Sequence, residues 1–211
     1  MFKAALLGLL PAWPAIAQTL PETPWSVRLG IGRVAFSESA DISLGGAPLA
    51  GAGAAASNNT TLLFSLDYRF SPEVSVELAA GIPPTTTLSG TGLLSGMQLG
   101  KVTYAPAVLT GKYHFTGLGP GFVPYIGAGV NYTLVTDADD GAIAGLTVKN
   151  AFAPALQIGF ETNADRRFGF YADAKWIFLD TKASGTVGGA PAQADVTLDP
   201  LILGAGIVYR F

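Results

Sequence analysis

Cysteine is missing from the 211 residues, so no disulfide can brace the fold. Charge is scarce as well: 13% of residues are Asp, Glu, Lys or Arg, and the net charge is -3. That composition supplies no basic surface for nucleic acid, which is excluded as a partner. Past the N-terminus no apolar run approaches the ~20 residues that a membrane-spanning helix needs. Histidine occurs once, at His114, which leaves little room for imidazole-based metal binding or acid–base chemistry. What the chain does have is glycine, 27 residues of it, and a hydrophobic fraction of 49%. A chain this apolar without membrane helices is either a soluble all-β domain or a barrel that hides its apolarity in alternation.

The N-terminus is expected to name the compartment. Lys3 precedes the apolar run Ala4–Leu10, and Ala15-Ile16-Ala17 fits a small-x-small cleavage site. Pro11 and Pro14 interrupt the run, so residues 1–17 read as a secretory signal peptide cut before Gln18. Residues 18–211 then form a single exported domain.

The C-terminus carries the fold signal. Leu201, Leu203, Ala205, Ile207, Tyr209 and Phe211 alternate with other residues, and the period-two run stops on a terminal aromatic. This is the pattern of a last transmembrane strand, with its end aromatics in the girdle at the water interface. Seven further segments alternate in the same way. They begin near Trp25, Leu62, Val74, Val102, Pro124, Phe152 and Phe168, and each reaches the ~10 residues of a tilted membrane strand. Short turns at 71–73, 117–121 and 163–166 alternate with longer stretches at 37–60, 83–99, 136–149 and 181–195. The predicted fold is an all-β, eight-stranded antiparallel transmembrane barrel with short periplasmic turns and longer extracellular loops, in the outer membrane of a Gram-negative cell.

The charges tell inside from outside. Arg28, Asp67, Arg69, Glu77, Glu161, Asp173, Lys175 and Arg210 lie opposite the apolar series. Lys112 and His114 join them if Tyr113 and Phe115 face lipid. A Lys or Arg on the lipid face near the midplane costs about 2–4 kcal/mol, so these residues are expected in the lumen. Strand direction gathers most of them in the periplasmic half, as an ion network that narrows or closes the bottom. Above it, Gly30, Gly32, Gly127, Gly129, Ala153, Ala155, Ile202 and Gly204 are expected to leave a dry, narrow space suited to an apolar ligand. Trp25, Tyr113, Phe115, Tyr209 and Phe211 are placed in the membrane girdle. Two strands break phase. Val102, Tyr104, Pro106 and Val108 are even-numbered before the odd Tyr113 and Phe115, and Val196 and Leu198 precede the odd series from Leu201. Either a bulge at Pro106 and Pro200 or a loss of alternation above the membrane would explain this.

Catalysis has one His to work with. His114 is expected low in the barrel between girdle aromatics, with no nucleophile constellation around it. Asp137, Asp139 and Asp140 read as a solvated turn, not a Ca²⁺ site, so no metal and no cofactor are expected.

The stretch Pro124-Tyr125-Ile126-Gly127-Ala128-Gly129-Val130-Asn131-Tyr132-Thr133 resembles the P-Y-x-G-x-G-x-N-Y-T strand of the OmpW family of outer-membrane proteins. Tyr113-His114-Phe115, Leu198-Asp199-Pro200, Tyr209-Arg210-Phe211 and Trp25 fit the same family in order. The chain departs from it at Gly81-Ile82-Pro83-Pro84, where the Phe of Thr-Pro-Phe is absent, and at Pro106, which stands without a paired proline. The resemblance implies a narrow hydrophobic channel for small apolar molecules, possible lateral exit into the bilayer, and insertion by the outer-membrane assembly machinery through Phe211. The alternatives are a surface receptor or structural envelope protein and, more remotely, a lipid-modifying barrel enzyme.

Overall fold

The computed structural model describes residues 23–118, 121–162 and 166–211. The segment expected to be a signal peptide, residues 1–17, lies outside the described residues. Fifteen strands are present among them: β1 (Trp25–Ala35), β2 (Ser39–Leu44), β3 (Ala47–Pro48), β4 (Ala52–Ala56), β5 (Asn59–Arg69), β6 (Val74–Gly81), β7 (Thr85–Gly92), β8 (Gln98–His114), β9 (Phe122–Asp140), β10 (Ala144–Val148), β11 (Ala151–Thr162), β12 (Phe168–Ile177), β13 (Asp180–Val187), β14 (Ala190–Thr197) and β15 (Leu201–Arg210).

Eight of them close a ring in the order β1-β5-β6-β8-β9-β11-β12-β15, every neighbour antiparallel, and β15 pairs back onto β1 from Ser26↔Arg210 to Ala35↔Leu201. Closure removes every sheet edge, which is what a strand protein in hydrocarbon requires. Outward positions carry Leu29, Ile31, Phe64, Leu78, Leu109, Ile126, Leu156, Ile158, Phe170, Trp176 and Ile207, all exposed. Such a surface is untenable in water and ordinary in lipid.

At the short-turn end aromatic rings run round the barrel. Trp25 meets Tyr68 at 4.7 Å, Tyr68 meets Phe70 at 4.8 Å, and Tyr113 meets Phe115 at 5.2 Å. Phe122 meets Phe160 at 5.1 Å, and Phe168–Tyr209–Phe211 continue at 5.0 and 5.1 Å. The ring ends where the chain does: Phe211 N donates to Trp25 O, so the last residue closes onto the first strand.

Three sequence expectations change. The stretches expected as loops are largely strands. β13 and β14 form a hairpin, and β2, β3 and β10 join it in a second, five-stranded sheet. β4 and β7 extend the main sheet alongside the upper part of β8. Second, β8 does not change phase. Val102, Tyr104, Val108, Thr110, Lys112 and His114 are all buried on one inward face, and Leu109 and Tyr113 are exposed on the other. The irregularity sits between Thr103 and Tyr104 in the pairing with β9, where Thr136 is the extra residue on β9. The even-numbered residues before the last strand belong elsewhere: Val196 is in β14 and Leu198 in the connection to β15, and both line the cavity, as does Ile202 of β15. The apolar series switches face because the interior changes from polar to apolar. Third, most of the small residues expected to leave empty space have that space taken by side chains of neighbouring strands. A Cβ on Gly30 would lie 2.3 Å from the Tyr171 hydroxyl, one on Gly32 2.5 Å from Leu63 Cδ1, and one on Gly127 2.7 Å from Thr110 Cγ2.

Candidate functional site: an ionic floor under an apolar cavity

The lower lumen holds all nine of the charged residues singled out from the sequence, in one connected cluster. Glu161 of β11 gathers three arginines. Arg28 Nη2 lies 3.3 Å and Arg210 Nη2 2.9 Å from its Oε2, and Arg69 pairs with Oε1. Glu77 of β6 also gathers three cations, Arg28 again among them: Arg28 Nη1 at 3.0 Å, Lys112 Nζ at 2.8 Å and Lys175 Nζ at 3.1 Å. Lys112 also pairs with Asp67, and Lys175 Nζ lies 2.9 Å from Asp173 Oδ2. Arg28 is 2% exposed and Glu77 is fully buried. A lone buried charge carries a desolvation penalty of several kcal/mol, so each charge here is tolerable only because the others surround it.

Three uncharged residues complete the cluster. Tyr125 accepts from Arg28 Nη1 at 2.9 Å and donates to Asp173 Oδ2 at 3.0 Å. Its ring carries Lys112 Nζ at 4.9 Å and the Arg28 guanidinium at 5.2 Å, and the same guanidinium lies 5.1 Å from the Tyr171 ring. Gln157 donates to Asp173 Oδ2 at 2.9 Å and Glu77 Oε1 at 3.4 Å. Tyr125, Tyr171 and Gln157 were not singled out from the sequence, although each has the inward phase of its strand. The glycines opposite are the signal that finds the tyrosines: a Cβ on Gly159 would stand 2.7 Å from Tyr125 Cζ, so the bare backbone makes room for a ring.

His114 has more around it than the sequence suggested. Its Nε2 is 2.9 Å from Ser75 Oγ, and its Nδ1 is 3.6 Å from Glu161 Oε1. Residue types alone would suggest a nucleophile, base and acid. Arg69 Nη2, which can only donate, lies 3.1 Å from Nδ1 and 3.3 Å from Nε2, so a cation crowds both ring nitrogens. Ser75 is 1% and His114 0% exposed, which leaves no space for a substrate. The cluster packs and seals.

Above it the interior turns apolar. Val34, Val108, Ala151, Ala153, Ala155, Ile177, Leu179 and Ile202 form one buried cluster, with Phe36, Leu63 and Leu198 against it. This is the roof of the ionic layer and the floor of a cavity of about 160 Å³. The cavity walls come from both sheets, chiefly Ile42, Leu44, Leu88, Leu99, Leu146 and Val196. Of the eight small or apolar residues expected there, Ile202 lines the cavity, and Ala153 and Ala155 lie in the cluster beneath it. The space is set higher than expected, among the strands that were read as loops.

Tyr104 stands at one side of the cavity. Its hydroxyl accepts from Asn59 Nδ2 at 3.3 Å and its ring meets Phe36 edge-on at 6.1 Å. Behind it the wall is thin. β6 ends at Gly81 against Leu63 of β5, while β7 begins at Thr85 and pairs with β8 and β4 instead. Ile82-Pro83-Pro84 bridges the gap, tied to β5 by Ile82 N donating to Leu62 O and Thr61 Oγ1 donating to Ile82 O, and to β8 by Tyr104 N donating to Pro84 O. Proline supplies no N–H, so the seam has few backbone bonds to lose.

The acidic group of the third excursion is accounted for locally. Asp140 accepts from the backbone N–H of Gly145 at 2.8 Å and Leu146 at 2.9 Å, which holds its carboxyl below the usual range. Asp139 faces Lys101 across the β8–β9 pair. Among the described residues no cluster of His, Cys, Asp and Glu could hold a metal ion.

Known proteins share this plan. The barrel of OprG from Pseudomonas aeruginosa superposes with a TM-score of 0.82 at 28% identity, covering 89% of this chain and 95% of that one. The structure of outer membrane protein AlkL in lipid bilayers gives 0.74 at 29% identity, covering 96% and 97%. In sequence, the dibenzothiophene metabolism operon protein PahQ of Pseudomonas aeruginosa is 42% identical over the full length of both chains. The sequence profile of the OmpW family matches residues 24–211. With a closed eight-strand barrel, a lipid-facing exterior and a match across nearly every described residue, this outer-membrane protein belongs to the OmpW family.

Proposed function

We propose that the barrel binds small apolar molecules in its upper lumen and passes them across the polar outer surface of the membrane, without chemistry. The observation that carries this is the cavity itself, some 160 Å³ walled almost wholly by aliphatic side chains. An apolar cavity of roughly 150 Å³ elsewhere stays dry and admits benzene, so a single ring or a short chain is the fitting size. Ions and sugars would have to shed their water there with nothing to replace it. The name of PahQ, a dibenzothiophene metabolism operon protein, agrees with a setting of apolar compounds.

The ionic floor supports the second half of the proposal. With Glu77 and Glu161 each bound to three cations, the straight path to the periplasm is filled. A ligand then leaves sideways, past Tyr104 and through the thin seam at Ile82–Pro84, into the bilayer that surrounds the barrel. Outer-membrane lipid is the obligatory partner, and Phe211 is the proposed handle for the assembly machinery.

The test is binding of 4-fluorotoluene to the protein in lipid nanodiscs, followed by ¹⁹F NMR. A bound resonance distinct from the lipid-dissolved one is expected, weakened at least tenfold by Leu146→Asn, a polar group set in the cavity wall. Absence of that resonance in the unaltered protein would sink the reading.

A further inference from the structure

One extracellular hairpin differs from its neighbours in two independent ways. The first, third and fourth excursions carry charge: Glu38 and Asp41; Asp137, Asp139, Asp140 and Lys149; Asp180, Lys182, Asp195 and Asp199. From Pro83 to Gly100 the second carries none. The same segment bears Leu93, 69% exposed, and Met97, 38% exposed. Among the described residues, every other large exposed hydrophobic side chain belongs to the lipid-facing band, its borders or the periplasmic turns. The tips of the other excursions, Gly45-Gly46, Gly141-Ala142 and Gly188-Gly189, are small.

The exposure is built in. Gly92 has φ +60°, and a Cβ there would lie 1.9 Å from Gly51 O, so no larger residue fits. Leu93 N donates to that same Gly51 O at 2.8 Å, Met97 N to Leu94 O at 3.1 Å, and Gly90 N to Met97 O at 2.8 Å. This pinned turn holds Leu93 outward and Leu94 inward. Leu94 and Met97 both line the cavity. Met97 is therefore cavity wall and outer surface at once, on the same turn as the exposed Leu93. Methionine suits such a place because its unbranched chain adapts to many shapes.

We propose that the Leu93–Met97 tip is the capture lip of the barrel, where an uncharged apolar molecule first leaves water before entering the cavity. The inference rests on the cavity being the binding site and adds the route in. A charge-free lip neither attracts nor orients ions, so it selects by apolar surface alone. It belongs to the entry path more than to the bound state, so it governs rates more than affinity.

The experiment measures exchange kinetics of 4-fluorotoluene with the full-length protein in nanodiscs, for the unaltered chain and for a Leu93→Ser variant, which leaves every cavity-lining residue in place. Both association and dissociation rates are expected to fall roughly fivefold or more while Kd stays within about twofold. A Leu93→Met variant keeps the original rates. Unchanged rates in the polar variant would overturn the inference, as would a changed Kd at unchanged association rate, which would make the tip mere cavity wall. Unchanged rates together with cross-links from the tip to a second protein on intact cells would assign it to a protein partner, again overturning the inference. If the unaltered protein shows no bound signal, the cavity reading falls first, and the lip with it.

Discussion

The lower and upper lumen share strands of one barrel and have opposite chemistry. On β8, Lys112 and His114 face inward near one end, and Val102 and Tyr104 face inward near the other. On β12 and the residues just after it, Asp173 and Lys175 give way to Ile177 and Leu179. The barrel below has little cross-section to spare, so charges brought inside must meet one another, and every one finds a partner. Above, seven additional strands enlarge the ring, the walls no longer meet, and charges there would be stranded. Apolar walls are the cheaper lining for a space that is not filled.

Breaking the ionic half should have the largest effect. Glu161→Ala strands Arg28, Arg69 and Arg210 with one carboxylate fewer, and loss of about 3–5 kcal/mol is expected. Urea unfolding in lipid vesicles checks it, and a loss under 1 kcal/mol would show that the cluster is not held by its charges. Moving a charge to the other face of the same strand should cost slightly less: Leu156→Arg, 52% exposed on the outer wall, is expected to cost about 2–4 kcal/mol in the same assay. Gly30→Ala drives a methyl against the Tyr171 hydroxyl and Ala205 O. A loss of about 1–3 kcal/mol is expected, measured by the same unfolding, with 4-fluorotoluene affinity unchanged because the ionic half is no part of the cavity.

The smallest effect sharpens the upper half. Asp140 has its pKa lowered in the folded state by two backbone N–H bonds. The support it lends is therefore present above its ordinary value near 3.8 and lost as pH falls through the depressed value. Asp140→Ala should speed hydrogen exchange at Gly145 and Leu146 at neutral pH and leave global unfolding unmoved. Unaltered exchange at those two amides would remove the carboxylate from the turn.

Legibility followed the same division. The charged floor was readable because a charge on the lipid side is prohibitive, so parity alone places Arg28, Glu77 and Glu161 inside. Tyr125 and Gln157 escaped notice because an uncharged polar side chain gives no such sign test. The cavity was read too low. Gly30 and Gly32 are small, but smallness does not say whether Tyr171 or Leu63 will reach across to fill the place. Ile42, Leu88 and Leu146 escaped altogether, since the stretches holding them are rich in Gly, Ala and Thr and too short to show clean alternation. The supposed phase change at Pro106 was a change of environment, which a pattern of apolar residues cannot tell from a change of direction.

By itself the amino-acid order determined the barrel, its eight spanning strands, which face meets lipid and which residues carry the inner charges. All of these follow from a period of two and the cost of charge in hydrocarbon, and both are local properties. The meeting of three arginines at Glu161, the burial of His114 beside Ser75 and Arg69, and the apolar chamber above them were decided only when strands distant in sequence came together. Those features depend on distances across the barrel, and no spacing along the chain encodes a distance across it.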